Sequence, residues 1–266
     1  MKNYLKNKNI FISGATSGIG EKLAMDLIDY DVNLILVARN YKKLENLKQS
    51  LGKKTNNKIS IFKLDVRHKK NVTTTIAQIL EKQPIDILIN NAGLALGIAK
   101  IYAGDMDNWD NMIDTNIKGL LYVSRPIIKH MVAKSNENDK NNCSHIINLG
   151  SVAGKISYPG GNVYCATKAA VHSITDSMNA DLFATNIKVT TIAPGAVETN
   201  FSKIRFKGDD KKADGVYDGF QPLVAEDISN VIINTINTPP HVNIQYIDIM
   251  PTAQRNPYLL DKNNIK

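Results

Sequence analysis

Tyr164 and Lys168 stand four residues apart in the run Tyr164-Cys165-Ala166-Thr167-Lys168. On a helix that spacing puts both side chains on one face. A free phenol titrates near 10, and a neighbouring ammonium favours the phenolate. Such a pair can give a proton to a carbonyl, or take one from an alcohol, near neutral pH. Alone, a Tyr-x-x-x-Lys pair is common and usually solvated. Ser151 lies thirteen residues earlier, at the end of an apolar run, where ligand groups gather in open α/β sheets. Its hydroxyl could hold a substrate oxygen, or simply cap the next turn.

A second set of residues suits a diphosphate. Ser13-Gly14-Ala15-Thr16-Ser17-Gly18-Ile19-Gly20 lies between an apolar run and a helical one. Glycines allow a tight turn and close approach of the backbone, and a helix N-terminus offers free N–H groups and partial positive charge. The spacing is G-x-x-x-G-x-G, not the common G-x-G-x-x-G. The second apolar run ends in Ala38-Arg39-Asn40. An acidic residue there would bind the ribose hydroxyls of NAD. Arg39 instead suits a 2′-phosphate, which favours NADP over NAD; the alternative is an exposed Arg against the adenine face.

The elements that must position these groups alternate. Strands are expected at Ile10–Ser13, Val32–Ala38, Ile59–Leu64, Ile85–Asn90, Ser144–Leu149, Lys188–Ala193 and Ile244–Ile249. Helices are expected at Gly18–Tyr30, Tyr41–Leu51, Lys69–Glu81, Asp107–Ala133, Asn162–Thr185 and Ala225–Asn237, with a polar loop over Ser135–Asn142. Seven strands alternating with helices imply an α/β fold: a single doubly wound Rossmann-type domain with a seven-stranded parallel sheet. That domain spans residues 1–266, with a cofactor half over about 1–150. Phe201–Pro222, within a substrate loop of about 196–222, reads either as a lid over the site or as a surface insertion.

The chain has 266 residues, 43% hydrophobic and 22% charged, ordinary globular usage. The formal charge is +8, but the lysines are scattered with no basic stripe and no interleaved aromatics, which argues against nucleic acid. Cys143 and Cys165 form no C-x-x-C pair, and the five histidines no H-E-x-x-H pattern, so no metal is expected. Met1–Asn9 is polar rather than signal-like, and no run is long enough to span a membrane. A cytoplasmic protein is expected.

Taken together, these residues resemble the short-chain dehydrogenase/reductase family over nearly the whole chain. The likeness rests on the Ser13–Gly20 turn, Asp65-Val66, Asn90-Asn91-Ala92-Gly93, Asn116, Ser151, Tyr164, Lys168 and Pro194-Gly195, in the family's order. It implies that Tyr164 is the general acid/base and that Lys168 lowers its pKa and binds the nicotinamide ribose. It implies further that Ser151 orients the substrate oxygen, and that Asn116 anchors a water relaying protons to Lys168. The cofactor contacts it implies come from Gly14, Thr16, Ser17, Gly18, Ile19 and Gly20, with Asp65 and Val66 at the adenine. Asn91, Ala92 and Gly93 would follow the adenosine ribose region, and Pro194, Gly195, Val197 and Thr199 the nicotinamide and phosphates. Ser13 departs from the family's usual Thr but keeps a hydroxyl. Asn40 replaces a frequent second Arg, which leaves Arg39 as the lone strong 2′-phosphate ligand.

Longer strings are similar to one group in that family, the NADP-dependent 3-hydroxy acid dehydrogenases that also oxidise serine and allo-threonine. They are Asn91–Gly97, Asp114–Leu120, Pro159–Tyr164, Asn200–Ser202 with Arg205–Asp209, and Met250–Thr252. The resemblance implies a cytosolic homotetramer and a 3-hydroxy acid substrate. The substrate carboxylate would then need a cation or N–H donors; Arg205, Lys207 and Lys155 are the candidate cations, unless all three are simply solvated. The alternatives are a carbonyl reductase of neutral ketones, or a silent NADP-binding protein.

Overall fold

The computed structural model describes residues 2–135 and 143–263. The first half of the chain order is β1 (Asn9–Ser13), α1 (Gly18–Leu27), β2 (Asn33–Ala38), α2 (Tyr41–Gly52), β3 (Ile59–Lys63), α3 (Lys69–Lys82), β4 (Ile87–Asn90), α4 (Met106–Ile113) and α5 (Leu120–Ser135). The second half is β5 (Ser144–Leu149), α6 (Asn162–Asp181), β6 (Ile187–Pro194), β7 (Val197–Glu198), α7 (Asn200–Arg205), α8 (Asp210–Asp214), β8 (Leu223–Val224), α9 (Ala225–Ile236) and β9 (Tyr246–Ile249).

Period-two alternation of side chains sorts these strands' apolar residues between two faces. Ile10, Ile12, Leu34, Leu36, Ile87, Ile89, Ile147 and Leu149 face one way, and α1, α2 and α9 cover them through Leu23, Leu27, Leu44, Leu47, Ile228 and Ile232. Phe11, Ile35, Val37, Leu88 and Ile146 face the other way, under Val72 and Ile76 of α3, Val123 and Ile127 of α5, and Val171 of α6. Each such fully buried side chain contributes roughly 1.5–3 kcal/mol of transfer free energy. Because both faces are covered, the strands read as near-continuous apolar runs.

The result is the seven-stranded parallel sheet that the alternation predicts, its strands in the order β3-β2-β1-β4-β5-β6-β9, beside a separate β7-β8 ladder. Strand order reverses between β1 and β4, which pair with Ile10 opposite Ile87. A crevice opens above the carboxyl ends at that switch point.

Several element ends differ from the sequence expectation, each for a local reason. The helix expected from Asp107 to Ala133 is two helices joined by a π-helical turn, Asp114–Gly119. That wider turn lets Gly119 pack on Val66, where a Cβ would stand 2.7 Å from Cγ2. The first helix stops at Leu27 and continues as a 3-10 turn, Ile28–Tyr30, closed by left-handed Asp31. α6 ends at Asp181 rather than Thr185, whose hydroxyl bonds back to the Leu182 carbonyl at 2.6 Å. β9 starts at Tyr246, not Ile244, whose carbonyl accepts the Thr190 hydroxyl at 2.5 Å. β4 starts at Ile87, not Ile85, and the Asp86 carboxylate accepts the Asn9 N–H at 2.8 Å. The loop expected over Ser135–Asn142 begins inside α5 at Ser135, and its remainder lies outside the described residues.

Candidate active site

The glycine turn closes as a cradle over the switch point. Gly14 and Gly18 have φ of 67° and 55°, left-handed values that favour glycine. The Ser13 hydroxyl accepts the backbone N–H groups of Asn91 and Ala92 at 3.1 and 3.0 Å. Asn91 Nδ2 donates to the carbonyls of Ser13 and Gly14 at 2.9 and 3.2 Å. Asn91 therefore braces the turn with its amide as well as facing the cleft. A Cβ on Gly20 would fall on that amide, so Gly20 seats α1 behind the turn.

A single cleft of about 540 Å³ runs from this cradle across the sheet's carboxyl edge. Gly14, Thr16, Ser17, Gly18 and Ile19 line its first part, followed by Asp65, Val66, Asn91, Ala92 and Gly93. Pro194, Gly195, Val197 and Thr199 form the opposite wall. Gly20 and Asn116, both expected in the site, stand behind the wall. At the far end Arg39 and Asn40 line the cleft together with Lys43. Arg39 is thus not the lone cation there. The Asn40 side chain accepts the Lys43 N–H at 3.0 Å and caps α2, which fixes the first turn that carries Lys43. Lys43 was missed because its place on the cleft wall depends on that cap. Desolvation works to raise the Asp65 carboxyl, but hydrogen bonds from the Arg67 side chain and backbone N–H hold it below the usual carboxylate range.

The predicted catalytic groups converge midway along the cleft. Ser151, Tyr164 and Lys168 all line it, and all are buried. Lys168 Nζ donates to the Leu149 carbonyl at 2.7 Å. Burial brings its pKa down to about 8. Burial also pushes the Tyr164 phenol well above its ordinary value, with Tyr158 adding to the rise and Ser151 and Arg205 opposing it. The phenol thus differs from the sequence expectation: enclosure raises it, and Lys168 is not among the groups that lower it. Asn116 sits in the π turn. Its Oδ1 accepts the Leu94 N–H at 2.9 Å, and its Nδ2 donates to the Leu94 carbonyl and the Thr167 hydroxyl at 2.8 and 3.0 Å. A Cβ on Gly93 would lie 3.3 Å from Asn116 Oδ1 and 3.6 Å from Lys168 Nζ, so glycine keeps the space beside both open.

Lys168 carries a stability prediction. A lysine whose folded pKa lies below its unfolded value destabilises the fold wherever it is charged in both states, below pH 8. The penalty fades as pH rises from 8 to 10.5. A shift of that size corresponds to about 3 kcal/mol, less what the Leu149 hydrogen bond returns. Lys168→Met should therefore raise Tm of the cofactor-free protein at pH 7 by roughly 3–8 °C. Thermal melts at pH 7 and pH 10 check this, with the gain vanishing at the higher pH.

Beyond Tyr164 the cleft is walled by the segment expected to be either lid or insertion. Phe201, Ile204, Arg205, Tyr217 and Phe220 line it, so the segment is part of the site. Ser202 and Tyr217 share a 2.7 Å hydroxyl hydrogen bond, and Tyr217 donates to the Val197 carbonyl at 2.8 Å. Arg205 is clamped to Gly97: the Gly97 N–H donates to the Arg205 carbonyl at 2.8 Å, and Arg205 Nε donates to the Gly97 carbonyl at 3.2 Å. Its Cζ lies 5.5 Å from the Tyr158 ring centre and 5.7 Å from that of Tyr164. Arg205 Nη2 is buried without a hydrogen-bond partner. Tyr158 was not foreseen, since nothing in Ser157-Tyr158-Pro159 sets it apart from a surface loop. The other two candidate cations are engaged elsewhere. Lys155 pairs with Asp248 at 2.5 Å and covers the Tyr246 ring, while exposed Lys207 reaches Asp105 at 3.4 Å.

Among the described residues no group of His, Cys, Asp and Glu could hold a metal ion, and no helix is long and apolar enough to cross a membrane. The family model for "short chain dehydrogenase" matches residues 8–210. The chain is 40% identical over 247 residues to NADP-dependent 3-hydroxy acid dehydrogenase YdfG of Escherichia coli (strain K12), covering 92% of this chain and 95% of that protein. It is 38% identical over 246 residues to sulfoacetaldehyde reductase 2 of Chromohalobacter salexigens, covering 92% and 94%. Among solved structures, the closed form of serine dehydrogenase complexed with NADP+ superposes with a TM-score of 0.85 at 38% identity, over 94% of this chain and 98% of that one. A sheet whose switch point carries the glycine cradle, a buried Ser-Tyr-Lys set at its carboxyl edge, and a family match spanning both place this chain in the short-chain dehydrogenase family.

Proposed function

We propose that the chain is an NADP-dependent dehydrogenase that interconverts 3-hydroxy acids, of the serine, allo-threonine and 3-hydroxypropionate type, with 3-oxo acids. The observation that carries the substrate class is the unpartnered, buried Nη2 of Arg205 beside the Tyr164 ring. A buried N–H of a guanidinium without an acceptor is costly, and an anionic group on a small substrate removes that cost. A substrate whose carboxylate rests on Arg205 can present its hydroxyl to Tyr164 and Ser151. Planar Arg reads carboxylate and sulfonate oxygens alike, which fits the 38% identity to a sulfoacetaldehyde reductase.

The residues present fit NADP. The Gly14–Gly18 cradle and the α1 N-terminus suit the diphosphate, while Arg39 and Lys43 suit a 2′-phosphate. Held there, NADP would supply the hydride acceptor for the alcohol carbon and the hydride donor for the reverse reaction. Ser151 holds the reacting oxygen. Tyr164 takes its proton in oxidation and gives one in reduction. Lys168 binds the nicotinamide ribose and, as a cation beside the phenol, favours its ionisation. The space that Gly93 leaves beside Asn116 Oδ1 and Lys168 Nζ fits a water relaying protons. A cytoplasmic homotetramer belongs to the same reading. Phe183, just past the end of α6, and Tyr102, just before α4, are 86% and 81% exposed, which suits association.

The reading is tested by kcat/KM for serine, 3-hydroxypropionate, sulfoacetaldehyde and a neutral ketone. Preference for the neutral ketone would leave only a general carbonyl reductase, and cofactor binding without turnover of any of them would leave a silent binding protein. For the cofactor, Arg39→Ala should weaken NADP+ binding by about 10–100-fold, the usual range for a lost charged hydrogen bond. Lys43→Ala should weaken it by roughly 3–10-fold, since an exposed Lys offers a point charge rather than a fork. NAD+ binding should change little in either variant, as read by calorimetric titration.

A further inference from the structure

His172 lies one helical turn beyond Lys168 on α6, is buried, and has no part in the chemistry above. Its Nε2 accepts the backbone N–H of Ser151 at 3.3 Å. The ring is wedged between two glycines: a Cβ on Gly150 would fall on Nε2, and a Cβ on Gly154 would fall 2.5 Å from Cε1. The loop that carries Ser151 is thus shaped around this imidazole. On its other side the ring meets Tyr246 of β9 edge-on, with centres 5.3 Å apart and planes at 86°, and the Tyr246 hydroxyl is 3.4 Å from both ring nitrogens. Lys155 covers the Tyr246 ring at 3.8 Å and pairs with Asp248. A chain of contacts therefore runs from the exposed Lys155–Asp248 pair, through Tyr246 and His172, to the backbone of Ser151.

An imidazole nitrogen accepts only when it carries no proton. With Nε2 receiving the Ser151 N–H, the proton of the neutral ring belongs on Nδ1. We propose that His172 is a positioning residue: as a neutral ring protonated on Nδ1, it holds the Ser151 backbone N–H and so fixes where the Ser151 hydroxyl stands relative to Tyr164. The inference rests on the proposed role of Ser151. The surroundings keep the ring neutral. Burial comes first in lowering its pKa to about 4, followed by Lys168 on α6 and Lys155 on the Ser151 loop, against Asp248 on β9 and Asp176 on α6. Tyr246 also faces it, with its own phenol pushed up by burial and by Asp248.

Protonated, the ring would present a donor to another donor, and the Ser151 N–H would lose its acceptor inside the protein. The hydrogen bond is single and neutral, so its loss should cost about tenfold in kcat, with cofactor KM unchanged. His172→Leu removes the acceptor while filling similar space, and His172→Gln restores an acceptor oxygen and should recover most of the rate. In a Ser151→Ala background, His172→Leu should change kcat by less than about twofold, because residues acting through one another are not additive. A merely structural role would instead lower stability in both backgrounds and lower kcat by the same factor in each.

The protein as it stands offers a check that needs no variant. The ¹⁵N imidazole signals assigned to His172 should show a ring protonated on Nδ1 and neutral down to pH 5. A His172 ring protonated on Nε2, or titrating near 6.5, would overturn the proposal. So would unchanged kcat in a folded His172→Leu protein whose Ser151→Ala counterpart is impaired. Full activity in Ser151→Ala itself would overturn the reading of the site, and this inference with it.

Discussion

Replacing Tyr164 by Phe should lower kcat by about 10³-fold, within the range typical of a lost general acid/base, while NADP+ binding changes little. The phenol is buried beside Ser151 and Lys168, and the substitution removes only an oxygen from a ring that keeps its contact with Phe201, 5.8 Å between centres. Damage to the fold is therefore not the expected cause. A direction follows for pH as well. Burial raises the phenol's pKa, so at neutral pH the protonated form dominates in the cofactor-free protein. That form gives a proton to a carbonyl, whereas alcohol oxidation needs the phenolate. Oxidation should accelerate as pH rises and carbonyl reduction should slow, with both trends lost in Tyr164→Phe. Initial rates in the two directions from pH 6 to pH 10 read this out.

Arg205→Ala carries the second large effect. The side chain is held by Gly97 and by the Tyr158 ring, and one of its terminal nitrogens is left buried without a partner. If that nitrogen receives the substrate's anionic group, losing it should raise KM for 3-hydroxypropionate by roughly 10–150-fold, the range of a charged hydrogen bond. Turnover of a neutral ketone should change by less than about threefold, since Arg205 then contributes only to packing. Equal losses on both substrates would mean that Arg205 holds α7 in place and reads no charge. Arg205→Lys should recover only part of the KM, because an ammonium lacks the planar fork.

The sheet was legible because seven apolar runs of strand length, separated by amphipathic ones, admit few arrangements. That Ser151, Tyr164 and Lys168 share one cleft was legible because Tyr164 and Lys168 follow helical spacing and Ser151 closes a strand, facts local to the chain. Two kinds of feature were not. Backbone departures such as the π turn at Asp114–Gly119 arise from packing on Val66 and Leu94, which lie far away in sequence. Side-chain allegiance was equally hidden. Arg205, Lys155 and Lys207 looked alike as loop cations, and only the fold turns Arg205 into the cleft while giving Lys155 to Asp248 and Lys207 to Asp105. Tyr158, Lys43 and His172 were silent for the same reason. Each matters through a neighbour that secondary-structure periodicity does not specify.

The central claim is that a guanidinium reads a negative charge on the substrate while the phenol beside it moves the proton. The most direct test is to compare kcat/KM for 3-hydroxypropionate and its uncharged, near-isosteric amide, 3-hydroxypropionamide, with NADP+ and the unaltered protein. The account predicts that the acid is preferred by roughly 10–150-fold. Equal use of the two, or preference for the amide, would contradict it.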